Sequence, residues 1–109
     1  MNIFMKADTN IPEFLAFPKF LLETKLSHTA QIVYMLLLAR AKLSQKHGWI
    51  DAGRNIFIIY PVDELAKDMR KSRSRAFAAL KELEEADLVI RKRVIFNGAN
   101  RMYIKFPQS

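Results

Sequence analysis

The sequence contains no cysteine. That excludes a disulfide framework, a thiolate metal site and dithiol redox chemistry. Its three glycines, Gly48, Gly53 and Gly98, are scattered, so no glycine-rich loop is available to cradle a phosphate. The two histidines, His28 and His47, fall at opposite ends of one predicted helix and at no spacing used by metal ligands or general bases. The acid pairs Asp63/Glu64 and Glu84/Glu85 have ordinary helical explanations. No catalytic residue, metal ligand or cofactor is therefore expected, and the chain does not read as an enzyme. The longest apolar run, IVYMLLLA, stops at Arg40 and is too short to span a bilayer. The start, MNIFMKADTN, lacks the basic and long apolar regions of a signal peptide. A soluble cytoplasmic protein with no membrane partner is the expectation.

Acid is scarce in one particular place. Residues 1–69 hold 8 Lys/Arg and 7 Asp/Glu, whereas residues 70–109 hold 10 Lys/Arg and only 4 Asp/Glu. Nearly all of the net charge of +7 thus sits in the last third. Such asymmetry points to a polyanionic partner, nucleic acid before an anionic membrane. With 109 residues, half of them hydrophobic, the chain suits one domain with a single core.

Residues 1–26 are apolar and aromatic but broken by Pro12 and Pro18, which argues against a long helix. They read as an extended arm with a short helical or turn-like piece near Pro18–Leu22. Phe4, Phe14, Phe17 and Phe20 are many aromatics for such an arm, and packing on a second copy, a homodimer, is one use for them. Residues 27–109 read as the folded domain. Ser27 caps a helix whose stripe is Ile32, Met35, Leu36, Ala39 and Leu43, broadened by Val33, Leu37 and Leu38, and Gly48 stops it. IFIIY (56–60) reads as a short buried strand. Pro61 opens a helix with Val62, Leu65, Ala66 and Met69 on its apolar face. After a tight link, Ser72 caps a helix running to about Glu85. LVIRKRVIF, the turn signal NGAN and RMYIKF then form a hairpin with Met102, Ile104 and Phe106 on one face. The order gives a mainly α, α+β fold: a winged helix-turn-helix with a small antiparallel sheet, made of a lone strand and a C-terminal hairpin wing.

The helix after Ser72 starts with the wrong charge. A helix N-terminus favours anions, yet Arg73 and Arg75 lie in this first turn, with Arg70 and Lys71 just before. In a helix-turn-helix the second helix enters the major groove and its first residues reach base edges. Here the core side is Ala76, Leu80 and Leu83, and the outward side is Arg73, Ser74, Arg75, Ala78 and Lys81. Arginines there pair with phosphates or lie bidentate on guanine, and Ser72 and Ser74 donate to phosphate. The wing adds Arg91, Lys92, Arg93, Asn97, Asn100 and Arg101. Alternation sends Arg91 and Arg93 to the opposite face from Lys92; Arg93 and Arg101, nearest the tip, are the favoured contacts. Phe77 sits beside the core stripe and is expected to pack against the wing rather than to touch a base. Double-stranded DNA is the expected partner.

Three segments resemble one known family. LS-x-x-A-x-x-x-Y-x-L-L-L-x-R (26–40), LS-x-K-x-GWID (43–51) and the entry motif F-x-x-x-P-K-F-L (Phe14–Leu21) are similar to the N-terminal domain of RepA-type replication initiators of plasmids and integrative elements. The resemblance implies a winged helix that binds repeats in a replication origin, as a dimer formed through the arm. It also implies DNA contacts at Arg73, Ser74, Arg75 and residues 91–101. Ala78 departs from the pattern, since a longer polar side chain is usual there. Relatives carry a further C-terminal domain that recruits replication proteins, so this chain is expected to be a fragment or a reduced relative, in the latter case a repressor. Two other readings remain open: a promoter-binding transcriptional regulator, and a winged helix that binds protein and never DNA.

Overall fold

The computed structural model describes residues 1–93 and 100–108. A 3-10 turn, Lys19–Glu23, leads into three α-helices and a hairpin. The helices are α1 (His28–His47), α2 (Val62–Met69) and α3 (Arg73–Glu85); the strands are β1 (Val89–Arg93) and β2 (Asn100–Ile104). The strands pair antiparallel, Val89 opposite Ile104 and Arg93 opposite Asn100. This is a mainly helical winged helix. No helix of the described residues is long and apolar enough to cross a membrane.

Capping chemistry sets the helix limits. Ser27 Oγ accepts the N–H of Ala30, and Ser72 Oγ accepts that of Arg75. All three helices end in the same way. The residue after each helix is left-handed or leads into a left-handed residue, and two backbone bonds close back on the last turn. At α1 the N–H groups of Gly48 and Trp49 donate to Gln45 and Ser44. At α2 those of Arg70 and Lys71 donate to Lys67 and Ala66, and at α3 those of Asp87 and Leu88 donate to Glu84 and Leu83. Gly48 takes φ 76° without cost; Arg70 (φ 55°) and Asp87 (φ 61°) carry a Cβ into the same region. The left-handed Arg70 makes the turn between α2 and α3 tight.

The core gathers Leu21, Val33, Tyr34 and Leu37 with Ile58, Leu65, Leu80, Leu83, Val89 and Met102, all fully buried. In α1 the inward stripe is Ala30, Val33, Tyr34 and Leu37, rotated from the expected one; Ile32 and Leu43 are exposed. The helix is apolar nearly all round from Ile32 to Ala39, so periodicity does not fix its phase. Tyr34 does: its buried hydroxyl donates to the carbonyl of Lys105 at 2.8 Å. IFIIY is not a regular strand. Ile58 exchanges two backbone bonds with Met102 (2.9 and 2.8 Å), and Ile56 bridges Ile50 across the turn. Pro61 lacks an N–H and starts α2, which leaves room for only one rung against the hairpin. Phe106, expected on the inner face, is 60% exposed and meets Phe20 edge-on. The NGAN turn signal, Asn97 included, falls mostly outside the described residues.

Residues 18–26 belong to the packed unit: Leu21 is buried, and Phe20 lies edge-on to Tyr34 at 5.6 Å between ring centroids. Before them the chain projects. Phe4, Phe14 and Phe17 are exposed, and the radius of gyration is 15.6 Å against about 13 Å for a compact chain of this length.

Replacing Arg70 by Gly removes the left-handed penalty and should raise stability by about 0.5–1 kcal/mol, read from urea midpoints. Burial pushes the Tyr34 hydroxyl up to about 12, and burial together with Asp68 raises that of Tyr60. A tyrosine ionises at about 10 in an unfolded chain. Stability should therefore hold below about pH 10 and decline as pH rises toward 12, with a smaller decline in Tyr34→Phe.

Candidate nucleic-acid interface

The start of α3 is open to solvent. Lys71, Ser72, Arg73, Ser74 and Arg75 are all exposed, and so are Ala78 and Lys81 further along. The helix buries the other side, through Ala76, Ala79, Leu80 and Leu83. No acid stands in its first turn. Ser72 is occupied as the cap, and its hydroxyl lies 3.2 Å from that of Ser74. Arg73 reaches Asp63 in the first turn of α2 at 3.0 Å, with its guanidinium carbon 5.5 Å from the Phe77 ring centroid. Both partners of this ion pair are well exposed, so it contributes little to stability. Arg75 makes no ion pair among the described residues.

Of the four acids in and just after the second half of α3, three are bound by the protein itself, and Glu85 stays exposed. Glu82 accepts the backbone N–H and the hydroxyl of Ser27, at 2.6 and 2.8 Å, and so supplies the start of α1 with the anion it lacks. Glu84 accepts Nε and Nη2 of Arg91 at 2.9 and 2.7 Å. Asp87 pairs with Lys105 at 2.7 Å. The ordinary helical explanation read for Glu84/Glu85 from the sequence does not include these roles. Ser27 and Glu82 lie 55 positions apart, and even Glu84 and Arg91, seven apart, meet across the turn between helix and strand, so no pattern within one element announces these pairs.

The hairpin divides the wing residues between two faces. In an antiparallel pair, opposed residues point the same way. Arg91 opposes Met102 and Arg93 opposes Asn100, so these share the face that covers α3. Lys92 opposes Arg101 and Ile90 opposes Tyr103, on the outer face. Arg91 is held by Glu84 and lies 5.9 Å from the Phe77 ring, so its cation is committed to joining wing and helix. Phe77 is 39% exposed and receives Arg73 on one hand and Arg91 on the other. Arg93 and Asn100 are exposed at the end of the ladder. Arg101 lies over Phe57 at 4.1 Å and Lys92 over Tyr103 at 5.3 Å, turned away from α3. Asn97 is outside the described residues. The geometry thus brings together Arg73, Ser74, Arg75, Ala78 and Lys81 with Arg93 and Asn100, and sets Lys92 and Arg101 apart.

Residues 13–108 match the family described as the N-terminus of replication initiator protein A (RepA). Among curated proteins, a 41 kDa protein of Lactobacillus helveticus is 30% identical over 69 residues, which are 60% of this chain and 20% of that protein. The chain therefore spans about a fifth of that relative's length. Among solved structures, the N-terminal domain of a DNA-binding protein superposes with a TM-score of 0.80 at 26% identity, covering 100% of this chain and 87% of that one. A Rep–DNA complex gives 0.76 at 28% identity, covering 89% and 78%. A structure described as an MDR initiator gives 0.75 at 34% identity, covering 89% and 79%. The family match runs over nearly the whole chain, and the fold agrees with it from the entry segment to the wing: the chain belongs to the family of RepA replication initiator N-terminal domains.

Proposed function

We propose that this domain binds double-stranded DNA sequence-specifically, at repeats in a replication origin, and so initiates replication of a plasmid or mobile element. The observation that carries the reading is the charge arrangement of α3. Its start presents exposed Arg73, Ser74 and Arg75 with no acid in the first turn, while Glu82, Glu84 and Asp87 are taken up elsewhere in the domain. A phosphate at that helix end is favoured at once by the free N–H groups, the dipole and the cations. Arg73 and Arg75 then reach base edges in the major groove, while Lys71, Ser74, Lys81 and Arg93 face phosphates. The likeness to a Rep–DNA complex at 28% identity supports DNA as the partner.

In this reading the chain works as a homodimer held by the arm, where Phe4, Phe14 and Phe17 stand exposed and Phe20 forms the edge of the core. Parts of the longer initiator beyond this domain recruit replication proteins, and the domain works in the cytoplasm.

Selection of bound sequences from random duplexes tests the proposal. The enriched motif should recur as direct repeats in the element's own origin; a palindrome found only at a promoter would contradict it. Arg73→Ala and Arg75→Ala should each lose about 5- to 150-fold in affinity for that motif, since a bidentate base contact is worth about 1–3 kcal/mol. Arg93→Ala should weaken all sequences alike and lower the slope of log K against log salt by about 1. Arg91→Ala should leave sequence preference unchanged and destabilise the fold by about 1–2 kcal/mol in urea, through the loss of its charged hydrogen bonds to Glu84.

A further inference from the structure

The outer face of the hairpin carries a second surface that the duplex reading does not use. It closes one side of a groove of about 620 Å³, whose other walls are the C-terminal half of α1 and the connection through Ile56 and Ile58. Leu38, Ile58 and Ile90 form an apolar floor, and Lys42, Arg54, Lys92 and Lys105 stand along it. Among the described residues no Asp or Glu lines the groove. Lys105 is paired with Asp87; Lys42, Arg54 and Lys92 make no ion pair among the described residues. Beside the groove runs a row of aromatic rings. Trp49, 47% exposed, stacks on Phe57 at 6.2 Å and 25°, and Phe57 adjoins Tyr103 at 6.5 Å. Arg101 covers Phe57 and Lys92 covers Tyr103.

We propose that this face is a separate binding site for single-stranded DNA, the row of rings stacking with bases and the cations meeting the backbone. A ligand for it must offer flat apolar faces and regularly spaced negative charge together. Unstacked nucleotides do; a duplex presents its phosphates but hides its base faces. Single-strand binding surfaces combine these same parts, a positively charged groove and aromatic platforms. Two acids border the groove: Asp87, which Lys105 neutralises, and Asp51, whose Oδ1 accepts the N–H groups of Gly53 and Asn55 at 2.9 Å and whose carboxylate also engages the hydroxyl of Tyr103, at the ring's edge. The hairpin's two faces point apart, so α3 can hold duplex while this face holds a strand. Choosing DNA as the occupant rests on the initiator reading, because opening an origin exposes single strands beside whatever is bound there.

Trp49 is the sole tryptophan and serves as the probe. Titrating a 12-nucleotide oligothymidylate into the chain should quench its fluorescence saturably, with affinity falling as salt rises. Tyr103→Ala and Lys92→Gln should each weaken oligothymidylate binding about 5-fold or more, as expected for loss of a stacking or phosphate partner. Both should keep duplex affinity within about 2-fold, which also shows that they fold. Should Tyr103→Ala lose duplex binding too, the exposed Lys92→Gln alone carries the comparison. Arg73→Ala with Arg75→Ala should show the reverse pattern. The proposal is overturned if oligothymidylate fails to bind. It is equally overturned if an abasic 12-mer or an oligoglutamate of equal charge binds as tightly, or if Lys92→Gln binds like the parent. Loss of duplex binding by the parent chain would instead contradict the reading of α3.

Discussion

Glu82 joins the last turn of α3 to the N-cap of α1 through two short hydrogen bonds to Ser27. The rest of the domain is arranged around what this bond and its two neighbours accomplish. α1 begins with no acid of its own, so its N-terminus takes a carboxylate from α3. Glu84 does the same for Arg91 and Asp87 for Lys105, which fastens both strands of the wing to α3 and the turn after it. Three acids that would oppose a polyanion are thereby paired within the domain, Asp87 while remaining exposed. The cations at the opposite end of α3 keep their exposure, and among the described residues only Arg73 of them finds an acid, the exposed Asp63. The same helix therefore works as scaffold along one side and as a charged probe at its tip.

The hairpin extends this division of labour. Its inner face carries Val89, Arg91 and Met102 onto the core and α3, while its outer face carries Lys92, Arg101 and Tyr103 away from them. A sheet of two strands is marginal alone. Here it is supported by the Ile58–Met102 rung, by the Lys105 N–H donating to the carbonyl of Leu88, and by the Tyr34 hydroxyl on the Lys105 carbonyl. The wing's orientation toward α3 is set by Arg91, whose guanidinium sits between Glu84 and the ring of Phe77.

Much of this was legible in the sequence where the controlling chemistry is local. Ser27 and Ser72 announce their helices because a cap needs only a hydroxyl and the next few N–H groups. Gly48 announces a stop because only it takes φ 76° freely. Arg70 and Asp87 take the same conformation with no such signal, since the packing of α3 and β1 imposes it on them. The phase of α1 was not readable, because a helix apolar on most sides has no preferred face until Tyr34 finds its acceptor. IFIIY has the composition of a strand, but strand pairing is a property of two segments, and Pro61 cuts it to one rung. For the candidate site, the exposure of Arg73 and Arg75 follows from the spacing of Ala76, Leu80 and Leu83. The separation of Arg91 from Lys92 follows from alternation. Which of those two faces α3 depends on register, and the engagement of Arg91 by Glu84 depends on packing, neither of which a single strand reveals.

Amide chemical-shift mapping during titration with the selected duplex tests the central claim most directly. The largest shifts should fall on the first two turns of α3, Arg73 to Lys81, and on Arg93 and Asn100 across the inner face of the wing. Shifts concentrated on the arm or on the outer face of the hairpin, with the start of α3 unmoved, would contradict it.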